Sequence, residues 1–235
     1  MALSTFSGNS AKFGGAISSG GILAVDQSTL IGNQASQSGG GIAFTNELTL
    51  TASTVRGNTA AEGGGISAEG NATYTNCTIS GNESIAEGGG VFHHAGRAVM
   101  RFTTVANNNS ASSVLGGHGA GIHMAVPTMS FQNTLLSSNS ASNCGGESQN
   151  FVSLGHNLSR DTSCAAAFTQ TGDKNGLDAK LGPLADNGGP TSTHLLLTGS
   201  PAIDAAVMIT GITTDQRVIK RPQGANPDIG SVEAP

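Results

Sequence analysis

Glu62 and Glu87 each stand immediately before a glycine triplet, Gly63-Gly64-Gly65 and Gly88-Gly89-Gly90. If the triplets are equivalent points of a repeat, the two carboxylates stack on neighbouring turns of chain. A carboxylate pair along one groove is what glycoside hydrolysis uses, and an acidic Ca²⁺ site with a basic residue serves polysaccharide lyases. The bland alternative is two solvated turn residues. A second group is richer in functional side chains. Counted from the same glycine anchor, Glu69 and His94 share one column and Phe92 and His123 share another, with Arg97 and His118 close in sequence. An aromatic beside histidines and a carboxylate suits sugar stacking with polar anchoring, or a weak metal site. Its alternative is an exposed strand face carrying a Glu–His ladder pair. His93 alternates inward and reads as a core histidine. Further on, Asp204, Asp215, Arg217 and Asp228 resemble a catalytic cluster on paper, but read as turn formers and ion pairs.

These assignments depend on the elements that position the residues. Gly39-Gly40-Gly41-Ile42 recurs as Gly63-Gly64-Gly65-Ile66 and Gly88-Gly89-Gly90-Val91, with weaker copies at Gly14-Gly15-Ala16-Ile17 and Gly119-Ala120-Gly121-Ile122. A second signature keeps the same period: Thr5…Asn9, Thr29…Asn33, Thr54…Asn58, Thr78…Asn82 and Thr104…Asn108. A sixth copy, Thr134…Asn139, is one residue longer. Self-similarity at this period marks a solenoid. Glycine triplets every repeat exclude helices, since each Gly costs about 1 kcal/mol there. In residues 42–66, Ile42 and Phe44 alternate with Ala43 and Thr45, Leu48, Leu50, Ser53 and Val55 supply inward positions, and Gly57-Asn58 bends the chain.

One coil of short strands cannot bury its own apolar face, so the coils stack about 4.8 Å apart and pair in parallel. The expected fold is an all-β, right-handed, single-stranded parallel β-helix of five to six coils of 24–31 residues, its hand taken from the usual crossover chirality. Asn9, Asn33, Asn58, Asn82 and Asn108 are expected to form an amide ladder. The Thr column is expected to point outward as a structural ladder. An ice-binding reading fails because Arg56 breaks the flat array. The expected division is coils over 1–142, a loop segment over 143–182, and a loop-rich C-terminal cap over the last coil from 183 to 235, all in one structural domain.

The run GPLADNGGPTSTHLLLTGSPAIDAA, followed by TTDQRVIKRPQGANPDIGSVE, resembles the C-terminal half of bacterial choice-of-anchor Q proteins; GHNLSRDTSC downstream of NCGG matches the same group. The repeats resemble those of that group and of polymorphic outer-membrane proteins. The resemblance implies a secreted or surface-displayed β-helix followed by an anchor, and no shared activity.

The totals limit the partners. A net charge of −5 argues against nucleic acid, and no apolar run approaches a membrane span. The glycines number 35, but they are periodic and locked to apolar positions, which excludes disorder. No GxSxG, HExxH or P-loop motif occurs. Met1-Ala2-Leu3-Ser4 is no signal peptide and opens inside a repeat, so a longer chain with a leader and more coils is expected. Of three cysteines, Cys144 and Cys164 flank a loop outside the repeats, and Cys77 sits in a strand. A Cys144–Cys164 disulfide in an oxidising compartment is the simplest account; three reduced thiols in a cytosolic protein is the other. The expected function is a non-catalytic, extracellular or cell-surface module contacting a polysaccharide or host glycan, without cofactor. The alternative is an extracellular lyase or hydrolase with Ca²⁺.

Overall fold

A computed structural model of the chain describes residues 1–111, 119–125 and 128–234. It is a parallel β-solenoid of about six turns, and the one helical element among the described residues is the 3-10 turn Ser148–Asn150. The coils contribute strands to four sheets, the second to fifth coils to all of them. In the third coil these are Ile42–Phe44, Glu47–Thr51, Thr54–Arg56 and Thr59–Ala60. The first three belong to what we term the Ile, Leu and Thr sheets, of six, six and eight strands; the fourth lies in a short, five-stranded sheet. Every pairing within these four sheets is parallel, and all but that of Ser10–Phe13 keep one register from coil to coil, as in Ile17↔Ile42↔Ile66↔Val91↔Ile122. Inward side chains form continuous columns, among them Ile42, Ile66, Val91, Leu50, Tyr74 and Met100, all fully buried.

The glycine triplet has three separate causes. Gly39 has φ +68°, a conformation that L side chains rarely adopt. At Gly40 a Cβ would lie 2.3 Å from the carbonyl oxygen of Gly64. At Gly41 it would meet that of Gly65 at 2.7 Å and the Asn58 amide at 3.3 Å. The third glycine thus leaves room for the amide ladder. That ladder is continuous: each Asn accepts at Oδ1 from the backbone N–H and the amide of the Asn one coil earlier, from Asn9 through Asn33, Asn58, Asn82 and Asn108 to Asn139. The left-handed residue at the neighbouring bend is Gly57, not Asn58.

A further left-handed corner carries no glycine. Leu3, Gln27, Ala52, Asn76, Phe102, Asn133 and His156 have φ between 43° and 58°. The next residue holds the turn: Ser28, Ser53, Thr103 and Thr134 donate their hydroxyls to the carbonyl two residues back, and the Cys77 thiol does the same. Thr134 belongs to this hydroxyl column. Leu135 pairs with Thr104, so the longer spacing to Asn139 is a change of column and not a slipped strand.

Two expectations about the C-terminal third are corrected. The coils do not end at 142: Cys144–Gly146, Phe151–Ser153 and Leu158–Ser159 add rungs to the Ile, Leu and Thr sheets. The stack is closed by residues 160–176, where Phe168 covers Phe131, their ring centroids 5.6 Å apart, and Cys164 is bonded to Cys144. The cap expected over the last coil from 183 to 235 instead runs, over its described residues 183–234, along the outside of the Thr sheet. Thr54, Thr78 and Thr104 are therefore buried although they point out of the coil. Gln216 donates its amide to Thr54 Oγ1 (2.9 Å) and accepts from Thr78 Oγ1 (2.7 Å). Ser231 reaches both Thr78 and Thr104. Beyond them, Leu135 and Leu158 replace threonine on the outer face and seat an apolar patch with Ala202, Ile229 and Val232.

Candidate functional site

Opposite the tail, the Ile sheet and the short sheet meet at an open wall. Two adjoining hollows lie there, of about 350 Å³ and about 290 Å³, and Phe13, Ser38 and Glu69 line both. The first adds Ser18, Thr45 and Ser67; the second adds Glu62 and His94. Phe13 ends the strand Ser10–Phe13, after a bulge that breaks its register, and is 44% exposed. Sugar-sized sites of this kind combine an aromatic face with a few placed polar groups.

The expected binding residues are only partly brought together. Glu69 and His94 occupy equivalent positions, their N–H groups donating to Phe44 O (2.9 Å) and Ala68 O (2.7 Å). His94 Nε2 lies 3.8 Å from Glu62 Oε2, so the histidine reaches diagonally to the turn of the previous coil. Phe92 is not the exposed platform that its outward position suggested. It is 5% exposed, with the His94 ring 3.7 Å and the His123 ring 5.2 Å from its centroid. The His94 ring is tilted by 38° against it and His123 meets it nearly edge-on at 76°, and together they shield it from water. Arg97 is exposed on the turn into Ala98–Arg101, its N–H held by Asn71 Oδ1. His118 lies outside the described residues. His93 is buried; Nε2 bonds Gly96 O at 2.9 Å, and burial lowers its pKa.

The carboxylate pair takes its stacked backbone position, since Gly39 N–H donates to Glu62 O and Gly63 N–H to Glu87 O. Only Glu62 is among the residues lining the two hollows. Among the described residues no three His, Cys, Asp or Glu side chains converge to hold a metal ion. The aromatic that sequence reasoning missed is Phe13. Its signal was present: it is a large apolar residue at the position where Ser38 stands in the next coil.

The tail acids are structural. Asp215 accepts from the N–H groups of Arg217, Ile219 and Glu233 and pairs with the Arg217 guanidinium at 2.8 Å. Asp204 and Asp228 brace each other's loops. The buried Arg221, also unremarked in the sequence, pairs with Glu233, donates to the carbonyls of Asp228 and Gly230, and lies over the Phe102 ring at 4.0 Å. Burial lowers its pKa and raises those of Asp228 and Glu233.

Fold and wall define a parallel β-helix repeat protein. The repeat family described as Chlamydia polymorphic membrane protein (Chlamydia_PMP) repeat matches residues 4–20. No curated protein and no solved structure matches the chain. The repeat match and the coil stack fit a surface or outer-membrane β-helix protein. No described helix is long and apolar enough to cross a membrane.

Proposed function

We propose that this chain is an extracellular or cell-surface adhesion module whose open wall contacts glycans without turning them over. The observation that carries the reading is the pair of adjoining hollows that share Phe13, Ser38 and Glu69, one extended by Ser18, Thr45 and Ser67 and the other by the Glu62–His94 pair. A ring for a sugar face and hydroxyls and carboxylates for its rim are the parts that shallow glycan sites use. The Cys144–Cys164 disulfide and the tail's resemblance to choice-of-anchor Q proteins support display outside the cytosol. The lyase or hydrolase alternative loses support where Glu87 is not among the residues lining the hollow that Glu62 lines.

A glycan array followed by titration calorimetry tests this. The wild type is expected to bind a subset of oligosaccharides, and Phe13→Ala and Glu69→Gln each to weaken that binding about tenfold. Unchanged affinity in both variants overturns the assignment of the wall. Release of reducing ends or unsaturated products that vanishes in Glu62→Gln reinstates catalysis.

A further inference from the structure

On the other side of the molecule, the last coils and the tail enclose a cleft of about 510 Å³, within the size range of small-ligand sites. Asn107, Ser138, Arg160, Asp178, Lys180 and Thr198 line it. The chain has 10 Lys and Arg against 15 Asp and Glu, yet two of the cations, Arg160 and Lys180, line this one cleft beside the single carboxylate of Asp178. Arg160 Nη1 donates to Ser138 Oγ at 2.8 Å, and Arg160 Nε is 3.9 Å from Asp178. The backbone at Lys180 is pinned by its N–H to Asp178 Oδ1 and its carbonyl to Leu197 N–H.

The backbone supplies an independent observation. The corner between the Thr sheet and the short sheet is left-handed in every coil. It is Gly8, Gly32, Gly57 and Gly81 in the first four coils, where an added Cβ would meet open space. In the two coils that face the cleft it becomes Asn107 (φ 57°) and Ser138 (φ 58°). Lys180, across the cleft, is also left-handed at φ 49°. A non-glycine residue is disfavoured in this region, serine more than asparagine, and such residues cluster at functional sites. Nothing in packing requires the change, because glycine fills the same corner four times. What the substitutions add to the lining is an amide and a hydroxyl, the hydroxyl accepting from Arg160.

We propose that this cleft binds an acidic saccharide, a sugar bearing a carboxylate. Arg160 and Lys180 take the carboxylate, Arg160 through its planar fork. Asn107, Ser138 and Thr198 hydrogen-bond ring hydroxyls, and Asp178 accepts from one of them while holding Arg160 in place. The site is separate from the Phe13 wall and would let one molecule grip an acidic glycan at two points.

Calorimetry at low salt with a digalacturonate, the matching neutral digalactoside and inorganic phosphate tests it. The digalacturonate should bind, with the neutral sugar about tenfold weaker or silent. Arg160→Gln with Lys180→Gln should lower the acidic-sugar affinity about tenfold or more. Ser138→Gly should weaken binding while raising the unfolding midpoint, because glycine relaxes the corner; a merely structural serine would not separate the two readouts. Phe13→Ala should leave binding at the cleft unchanged, so failure of the wall site and failure of the cleft are distinguishable. Equal affinity for neutral and acidic sugars, indifference to the double substitution, or unchanged affinity in Ser138→Gly overturns the proposal. Phosphate binding as tight as that of the digalacturonate reduces the cleft to an anion hole and overturns the saccharide assignment.

Discussion

The Thr column passes through two environments. Thr5 and Thr29 lie at or near solvent, whereas Thr54, Thr78 and Thr104, in the same register on the same sheet, are buried beneath the tail and hydrogen-bonded to it. The repeat makes these residues equivalent; the tail makes them different. A hydroxyl in water contributes little to stability, while a buried one that loses its partner leaves another buried polar group unsatisfied. The open wall with Phe13 and the covered wall under Gln216 are therefore two states of one scaffold, one left exposed and one fastened beneath the tail.

The hardest test of the covered side is Arg221→Met. It removes the guanidinium and leaves Asp228 and Glu233 buried without their cation. Breaking a buried ion pair from one side costs about 3–5 kcal/mol. A urea melt should show that loss, and limited proteolysis should cut first after residue 183. A loss no larger than that of an exposed Arg97→Met control would mean that the tail does not depend on this cluster.

Asn58→Ala probes the interior that both walls share. It deprives the N–H and amide of Asn33, and the carbonyl of Leu30, of a partner. About 1–3 kcal/mol is expected, with a clearly smaller effect for the exposed Asn9→Ala. Equal denaturation midpoints for the two variants would count against the ladder as a stabilising element.

Thr78→Val against Thr29→Val is the sharpest form of the comparison, since the two positions differ chiefly in cover. Thr78→Val forfeits bonds to Gln216 and Ser231 and should cost about 1–2 kcal/mol, whereas Thr29→Val should be nearly neutral. If calorimetric melting temperatures shift alike, the tail's hydrogen bonds add nothing to the wall.

The smallest expected effect is a pH dependence. His194, under the tail, bonds Ser80 Oγ through Nε2 and Gly182 O through Nδ1, and burial lowers its pKa from the ordinary 6.5. His93 is lowered for the same reason. A depressed histidine binds fewer protons folded than unfolded, so its contribution is whole above 6.5 and is lost as pH falls from there through the folded value. Asp228 and Glu233, raised by burial, act in the opposite direction: their contribution grows as pH falls through their folded values, toward the ordinary 3.8 and 4.5. Stability should therefore decline first just below 6.5, and His194→Gln should flatten that first decline. An unchanged profile in the variant would remove His194 from the account.

The sequence by itself determined the coil. Period, inward columns, parallel stacking and the Asn ladder follow from constraints that repeat every coil, so each is written several times over and a single irregular copy does not hide it. It also marked the cysteines that join. It did not mark the corner at Ala52 and its equivalents, because the hydroxyl that holds the turn sits one residue later and no glycine announces it. Nor did it place the tail, bury Phe92, or assemble Phe13 with Glu69 and Asn107 with Lys180. The tail fastens to the solenoid through contacts between residues 49 to 163 apart, such as His156 with Ala205 and Ser53 with Gln216, each made once. A contact made once leaves no period to read. Only the packed chain decides which of several equivalent positions is covered and which stays open.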